Sequence, residues 1–347
     1  MKKYRVAIVG LGRMAHTIDQ EVVGYPAVTL PYSIAASVKE IERLELAAGA
    51  DIDAAKRQVF GERWGVKALY ADYLEMIEKE KPDLVAICTR AELHAEMAVR
   101  TAEAGVKMIY LEKAMACSMR EADQVLEACQ KRKVSFNTGV LRRFDPRYQW
   151  ARKLIERGEI GQPRVAVQYG ASSLMHGHIH AVDTLMYMLG DPRAESVCGE
   201  LRPRTLRIEN NRLDKDPAAV YHIQFQGGLE AWTLPVGNWD FEVFGAGGVI
   251  RGANNGMDWA LRKPQPMGKK WSATREVPFP PCQPRSSTVV LLEDIVDAFE
   301  QGRPTLGNVE VTHHATEICL AVAESHRQGG VRVNIPIANR DLYVWHV

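Results

Sequence analysis

The stretch that decides the fold reads Tyr-Arg-Val-Ala-Ile-Val-Gly-Leu-Gly-Arg-Met-Ala and covers residues 4–15. Its apolar run from Val6 to Gly10 is rich in β-branched side chains, which predicts a strand buried on both faces. Gly10 permits a tight turn after this strand, and Gly12 lets a ligand approach the backbone closely. Ala15 is small enough for close contact between the strand and the helix that we expect to follow. The first N–H groups of that helix would bind an anion, for which we expect a diphosphate.

This Gly-x-Gly-x-x-Ala pattern has an alternative interpretation as an ordinary turn between a strand and a helix. The pattern alone is a weak signal. Its position after a predicted strand and before a predicted helix is the context that dinucleotide binding requires, and it favours that interpretation.

The composition is that of an ordinary globular protein. The chain has 347 residues, 46% of them hydrophobic and 25% charged, and this length is typical of two domains. A formal net charge of +1 gives no overall attraction to nucleic acid or to an anionic membrane. The apolar run after Lys3 is too short for a signal peptide, and no stretch approaches the ~18 apolar residues of a membrane span. We therefore expect neither a nucleic acid nor a membrane partner.

The cysteines are scattered along the chain, and none of them forms a Cys-x-x-Cys pair. This pattern is typical of reduced thiols rather than of a disulfide framework or a zinc site. We therefore expect a cytoplasmic protein. The six positions are Cys88, Cys117, Cys129, Cys198, Cys282 and Cys319.

A second predicted strand covers residues 44–50 and ends at Asp51. An acidic residue at this strand end would accept hydrogen bonds from an adenosine ribose. The spacing from the glycine turn is longer than the usual ~20 residues, so Asp51 fits by its place at a strand end. The alternative is that Asp51 caps the helix that begins near Ala54, and one side chain could do both.

Strands and helices continue to alternate through residues 1–140, which predicts a doubly wound parallel sheet of the Rossmann type with helices on both faces. Residues 83–88 and 106–111 are the clearest further strands, and Ser118 to Glu121 has the form of a capping box. Ligands bind at the carboxyl ends of the strands in such a sheet. The polar residues that fall there are Thr89, Arg90, His94, Glu112 and Lys113.

The pattern changes in residues 141–347, which we predict to form an α+β domain. Five short strands between residues 164 and 250 follow one another with glycine turns, which indicates a large, mostly antiparallel sheet. Two helices return at 289–300 and 311–327. The open face of this sheet predicts a homodimer or homotetramer.

A histidine-rich segment, His176-Gly-His178-Ile-His180-Ala-Val-Asp183, lies near the start of this second half. If one helix runs through it, His176, His180 and Asp183 share a face. They could bind a metal, although we do not favour a metal site. They could also form an acid–base site in which a carboxylate holds one imidazole, or simply be hydrogen-bonded structural residues.

These residues together resemble the Gfo/Idh/MocA family, named for glucose–fructose oxidoreductase, inositol dehydrogenase and a rhizopine catabolism protein. No single motif is decisive, but the ordered set is specific and covers nearly the whole chain. The motifs are Gly-Leu-Gly-Arg-Met-Ala at 10–15, Gly-Ala-Asp-Ile-Asp at 49–53, Thr-Arg-Ala-Glu-Leu-His at 89–94, Ala-Gly-Val-Lys-Met-Ile-Tyr-Leu-Glu-Lys-Ala at 104–114, Arg-Arg-Phe-Asp-Pro at 142–146, Gly-Glu-Ile-Gly at 158–161 and His180-x-x-Asp183.

The resemblance implies an NAD(P)-dependent oxidoreductase that acts on the CH–OH group of a sugar, a polyol or a related small molecule. It implies that Lys113 is the catalytic lysine, that His180 is the acid–base residue, and that Asp183 belongs to the substrate site. Asp51 favours NAD because a carboxylate repels a 2′-phosphate, while Arg13 and Arg57 leave NADP open. The residues that we expect at the cofactor are Gly10, Leu11, Gly12, Arg13, Met14, Ala15, Asp51, Thr89, Arg90, His94, Glu112, Lys113 and Arg143.

Two departures from the family pattern affect the expected chemistry. Ala114 replaces the proline of the usual Glu-Lys-Pro, which removes a fixed φ after Lys113. The family often has Asp-x-Gly-x-His where this chain has His176, His178 and His180. Either His176 is the titrating partner of His180, or the chemistry differs from polyol oxidation. A sensor that keeps the dinucleotide without catalysis and an NAD-dependent glycosidase are the alternative functions.

Overall fold

The computed structural model describes residues 2–346. It divides into two compact units. The first contains the chain up to Phe144 together with Arg285–His313, and the second contains Asp145–Pro284 together with His314–His346. Within the described range, no helix combines the length and the apolar composition of a membrane-spanning segment.

The first unit contains a six-stranded parallel sheet. Its strands are β1 (Tyr4–Val9), β2 (Leu44–Ala50), β3 (Ala68–Tyr70), β4 (Leu84–Ile87), β5 (Met108–Leu111) and β6 (Ser135–Thr138), and its helices up to residue 132 are α1 (Ile34–Glu40), α2 (Ala54–Trp64), α3 (Tyr73–Glu80), α4 (His94–Glu103) and α5 (Met119–Arg132). The strand order is β3-β2-β1-β4-β5-β6. The order reverses between β1 and β4, and ligands of doubly wound sheets bind at this switch point. The predicted Rossmann fold is therefore confirmed.

The central strands are apolar along their whole length because helices cover both faces of the sheet. Val6 and Ile8 of β1 and Leu84 of β4 have no exposed surface. Helix α5 begins where the sequence predicts, because the Ser118 hydroxyl and the Glu121 carboxylate form the expected capping box. These caps satisfy N–H groups that have no partner inside the helix.

The connection between β1 and α1 is irregular, and its prolines, Pro26 and Pro31, are incompatible with one continuous helix. A π-helix covers Arg13–Thr17 and a single 3₁₀ turn covers Ile18–Gln20. The Asp19 carboxylate then accepts the backbone N–H of Tyr32 at 2.6 Å, which holds the end of the connection before α1 begins.

The second unit contains a nine-stranded sheet, which is antiparallel except for one pair. The elements of the chain after residue 145 are α6 (Pro146–Glu156), β7 (Pro163–Tyr169), α7 (Ile179–Leu189), β8 (Ala194–Arg202), β9 (Arg212–Leu213), β10 (Ala218–Phe225), β11 (Leu229–Leu234), β12 (Asp240–Gly245), β13 (Gly248–Ala253), β14 (Asp258–Met267), β15 (Trp271–Val277), α8 (Ser287–Gln301), α9 (Val309–Arg327), β16 (Val333–Asn334) and β17 (Tyr343–Val344). The strand order is β15-β14-β13-β12-β7-β11-β10-β8-β16, with β7 and β11 parallel. The predicted mostly antiparallel sheet is confirmed.

Helix α8 belongs to the first unit, although it follows the strands of the second in the chain. Leu291, Leu292 and Ile295 of α8 are buried in the core of the first unit. The Asn137 side chain of β6 donates to the Asp294 carboxylate at 3.1 Å, and the Ser135 hydroxyl donates to a carbonyl of α8 at 2.8 Å. The predicted division into residues 1–140 and 141–347 therefore places α8 with the second unit, whereas it packs in the first.

Candidate functional site

The turn after β1 requires glycine at its first position. Gly10 has φ +83°, and a Cβ there would lie 2.8 Å from the carbonyl carbon and oxygen of Cys88 and 2.9 Å from Thr89 Cγ2. The turn therefore packs directly against the carboxyl end of β4. A Cβ at Gly12 would have no described atom within 4 Å, so the second glycine borders open space that a ligand could fill.

The segment after this turn differs from the α-helix that the sequence predicts. Arg13–Thr17 is a π-helix, and the His16 ring contacts the Leu11 carbonyl through Nε2 at 3.2 Å. Burial lowers the pKa of His16, and the nearby Arg63 lowers it further. Ala15 is fully buried, as its role in close packing requires, and Arg13 forms an exposed ion pair with Glu21 at 2.6 Å.

The Asp51 carboxylate is tied to the glycine turn. One oxygen accepts the Leu11 N–H at 2.8 Å, and the other accepts the Asp53 N–H at 2.9 Å. The alternative role of Asp51 as the cap of α2 is wrong, because Asp53 caps this helix through the N–H groups of Ala55 and Lys56. Asp51 therefore fixes the geometry between the end of β2 and the turn.

His94 connects the ends of β4 and β5. Its Nδ1 lies 2.8 Å from the Ala114 carbonyl oxygen, and its Nε2 lies 3.0 Å from the Thr89 carbonyl oxygen. Burial lowers the pKa of His94. A neutral ring donates from one nitrogen only, so one of the two carbonyls receives its N–H. Thr89 Cγ2 would lie 2.9 Å from a Cβ at Gly10, so Thr89 packs beside the glycine turn and links it through His94 to the segment that follows Lys113.

Glu112 has a buried carboxylate with two different partners. The Tyr110 hydroxyl donates to one oxygen, and the Lys113 backbone N–H approaches the other at 3.3 Å. Burial and the neighbouring Glu112 raise the pKa of Tyr110 well above its usual value. Gly139 leaves space for this pair, since a Cβ there would lie 2.8 Å from both Glu112 Oε1 and Tyr110 Oη. The peptide bond between Lys113 and Ala114 is cis.

The sequence did not indicate Tyr110 or Gly139 as parts of the site. Tyr110 is a core position of β5 by pattern, and Gly139 is a loop residue after β6. The remaining predicted cofactor residues of this unit occupy different environments. Arg90 is exposed and pairs with Glu92 at 2.9 Å, Met14 is partly exposed, and Arg143 is 1% exposed.

In the second unit, the histidine-rich segment is not one α-helix. Leu174–His178 is a π-helix, and the α-helix α7 begins at Ile179. The premise that placed His176 on one α-helical face with Asp183 is therefore wrong. His180 and Asp183 remain together on α7, where Asp183 is buried and His180 is partly exposed.

His178 is a buried structural residue rather than an acid–base group. Its ring is 1% exposed, and its Nδ1 lies 3.0 Å from the Tyr221 hydroxyl on β10. Burial is the main cause that lowers the pKa of His178 to about 4. The ring is therefore neutral at pH 7 and does not titrate there.

The carboxylate of Asp216 contacts the segment that contains these histidines. It accepts the backbone N–H of Met175 at 2.8 Å and that of His176 at 2.7 Å. The sequence analysis missed Asp216 because it is about forty positions away in the chain, in the loop before β10. Across residues 2–346, no three His, Cys, Asp or Glu side chains lie close enough to hold a metal ion.

A known family model matches the amino-terminal part of the first unit. Residues 4–140 match the family GFO_IDH_MocA, described as an oxidoreductase family with an NAD-binding Rossmann fold. The chain is 26% identical to the myo-inositol 2-dehydrogenase of Thermotoga maritima over 54% of its own length and 55% of the relative's. It is 27% identical to the scyllo-inositol 2-dehydrogenase (NAD(+)) of Bacillus subtilis over 65% of its own length and 64% of the relative's. These alignments thus span between about half and two thirds of the curated relatives.

Solved structures match over almost the whole chain. The aldose-aldose oxidoreductase of Caulobacter crescentus, complexed with glycerol, has a TM-score of 0.77 and 21% identity, and covers 96% of this chain and 100% of that one. A levoglucosan dehydrogenase with NADH and levoglucosan has a TM-score of 0.76 and 19% identity, with coverage of 96% and 100%. At these identities the likeness shows the fold alone. Residues 4–140 thus match the NAD-binding Rossmann fold of the Gfo/Idh/MocA oxidoreductase family, as the motifs in this part of the chain predict.

Proposed function

We propose that this chain is an NAD-dependent dehydrogenase that transfers a hydride between a carbinol carbon of a sugar or polyol and nicotinamide. The observation that carries the proposal is the series of contacts along the carboxyl edge of the parallel sheet. These contacts run from Asp51 to the glycine turn, then to Thr89, His94 and the segment after Lys113. The names of the inositol dehydrogenases among its relatives support the substrate class.

NAD is the proposed cofactor rather than NADP. Both oxygens of the Asp51 carboxylate are held by backbone N–H groups, so its charge stays at the end of β2, where an adenosine ribose binds in such folds. Arg57 donates to the carbonyls of Asp51 and Ile52, and Arg13 pairs with Glu21. Neither guanidinium is therefore poised to hold a 2′-phosphate.

The proposed chemistry assigns one task to each catalytic side chain. NAD, when bound, supplies the hydride acceptor. The Lys113 ammonium stabilises the negative charge that develops on the substrate oxygen. His180 accepts the hydroxyl proton, since an imidazole titrates near neutral pH. Asp183 belongs to the substrate site in this proposal. His176 lies in the π-helix just before α7 and is proposed as the partner of His180.

The proposal includes self-association through the outer face of the nine-stranded sheet. Burial alternates along β10, which means that only one face of the sheet is covered within the second unit. Large apolar side chains remain exposed on β11 and β12 of the same sheet: Trp232 is 43% exposed, Leu234 41% and Phe244 36%. Such a surface favours a homodimer or homotetramer. Light scattering at micromolar concentration tests this, and a Trp232→Glu variant should shift the mass toward the monomer.

Turnover of NAD with a panel of inositols, sugars and sugar acids tests the proposed activity. We expect at least one substrate to give reduced cofactor at 340 nm, and Lys113→Ala and His180→Ala to lower kcat by about 100-fold or more. NAD affinity should persist in His180→Ala. Tight NAD binding with no reduction of cofactor by any substrate would support the sensor alternative. Glycoside cleavage without net reduction would support the glycosidase alternative.

A further inference from the structure

The segment before α7 depends on a distant part of the chain for its backbone partners. A helix start leaves N–H groups without partners inside the helix. Here the Asp216 carboxylate takes two of them, from Met175 at 2.8 Å and from His176 at 2.7 Å. Hydrogen bonds to a charged acceptor are stronger than those to a neutral one, so this carboxylate is a firm anchor.

Further contacts join the same two stretches. The Leu174 N–H donates to the Pro217 carbonyl at 2.8 Å, and Ser173 forms an antiparallel bridge with Ala218 at the start of β10. Residues 216–218 therefore bind consecutive positions of the segment. Residues 173–176 are thus attached to the start of β10 before α7 begins.

Packing leaves the anchored segment little freedom to adjust. A Cβ at Gly177 would lie 1.8 Å from the Ser172 hydroxyl oxygen, so the turn closes tightly on itself. On its other side the His178 ring contacts the Tyr221 hydroxyl of β10 at 3.0 Å. His180 follows directly in the chain, in the first turn of α7. A displacement of the anchored residues would consequently move His180.

We propose that Asp216 is a positioning residue for His180, and this inference rests on the proposed function. The family often has an acidic residue where this chain has His176, so the carboxylate usual at that position is replaced by an imidazole. Asp216 supplies a carboxylate to the same segment from another part of the chain. Its hydrogen bonds to Met175 and His176 go to backbone N–H groups, so it acts through the position of the turn.

Asp216→Asn is the direct test. The amide can accept only one of the two N–H groups, and its own NH₂ would face the other. We expect faster hydrogen exchange of the amides of residues 173–178 and a kcat lower by about 10- to 100-fold, with an unchanged NAD dissociation constant. Asp214→Asn is the matched control, because Asp214 is an exposed neighbour that pairs with Arg212 on the surface. It should change neither quantity.

Hydrogen exchange separates this inference from the proposed function because it needs no substrate. Unchanged exchange of residues 173–178 in Asp216→Asn would overturn the inference. If exchange is faster but no substrate turns over even in the wild type, then Asp216 holds the backbone of residues 173–178 as inferred, and the proposed function is wrong. If Asp216→Asn does not fold, Asp216→Glu takes its place, since it keeps the charge but displaces the carboxylate.

A double-mutant cycle separates positioning of His180 from general damage. In a His180→Asn background, Asp216→Asn should lower kcat by less than two-fold, because the group that it positions has been removed. The same fold-loss in both backgrounds would show that Asp216 does not act through His180.

Discussion

Replacing Asp51 with Asn should reduce the preference of this chain for NAD over NADP. The Asp51 carboxylate accepts the N–H of Leu11 and that of Asp53, so its charge is fixed beside the glycine turn. Two unit charges about 5 Å apart in an effective dielectric constant of ~20 repel by ~3 kcal/mol. This energy corresponds to a factor of about 100 in the dissociation constant of NADP relative to NAD.

The isosteric amide removes the charge and one of the two hydrogen bonds. NAD should therefore bind more weakly, because the turn loses a charge-assisted bond of about 1.5–3 kcal/mol. NADP should bind no more weakly than to the wild type, because the loss of repulsion offsets the damage to the turn. The assay is a titration of both cofactors by tryptophan fluorescence at one ionic strength.

Asp53→Asn is the matched control for this change. Asp53 follows the same strand and caps α2, and Asn caps helices as well as Asp does. The control loses one negative charge at almost the same place, without touching the turn. If the ratio of the NADP and NAD dissociation constants changes equally in Asp51→Asn and Asp53→Asn, the reasoning is refuted.

Two further predictions concern buried polar groups. Gly139→Ala should lower the free energy of unfolding, measured by urea denaturation, by about 1–3 kcal/mol, because its Cβ would lie 2.8 Å from Glu112 Oε1 and from Tyr110 Oη. The loss should be smaller in a Tyr110→Phe background, which lacks the hydroxyl. If the losses of the two single variants simply add in the double variant, the predicted contact is contradicted. Burial lowers the pKa of His178 to about 4 from the unperturbed 6.5, so its contribution to stability is present above pH 6.5 and lost as the pH falls toward 4. Unfolding free energies should show a loss of about 2 kcal/mol between pH 7 and pH 5 from this group, which His178→Asn removes; an equal pH dependence of both proteins would contradict it.

The sequence predicted the parallel sheet well because its strands are continuous apolar runs. β1 and β4 have this character, and the glycines and prolines that bound them are local signals. Asp51 was identified by its place at a strand end, although the same logic assigned it the helix cap that Asp53 provides. Two carboxylates two positions apart satisfy the same cap pattern, and only the geometry of the turn distinguishes them.

Other features depend on contacts that no local pattern reveals. The π-helices at Arg13–Thr17 and Leu174–His178 have side-chain patterns that an α-helix also fits. The strands β14 and β15 were missed because both of their faces are largely exposed, which removes the alternation that marks a strand. Asp216 reaches its partners only after β10 has joined the sheet.

The roles of Lys113 and His180 stay predictions from the family resemblance. Lys113 lies in the first unit and His180 in the second. An experiment must therefore test whether both side chains act in the same reaction.

Transfer of deuterium from a perdeuterated sugar or polyol to the nicotinamide ring, followed by NMR, tests this claim most directly. The account predicts that deuterium accumulates at C4 of the reduced cofactor with the wild type, and that Lys113→Ala and His180→Ala each slow its appearance by about 100-fold or more. The proposal is contradicted if the nicotinamide stays unlabelled after incubation of the NAD-bound protein with every substrate of the panel. It is also contradicted if labelling is as fast in Lys113→Ala and His180→Ala as in the wild type.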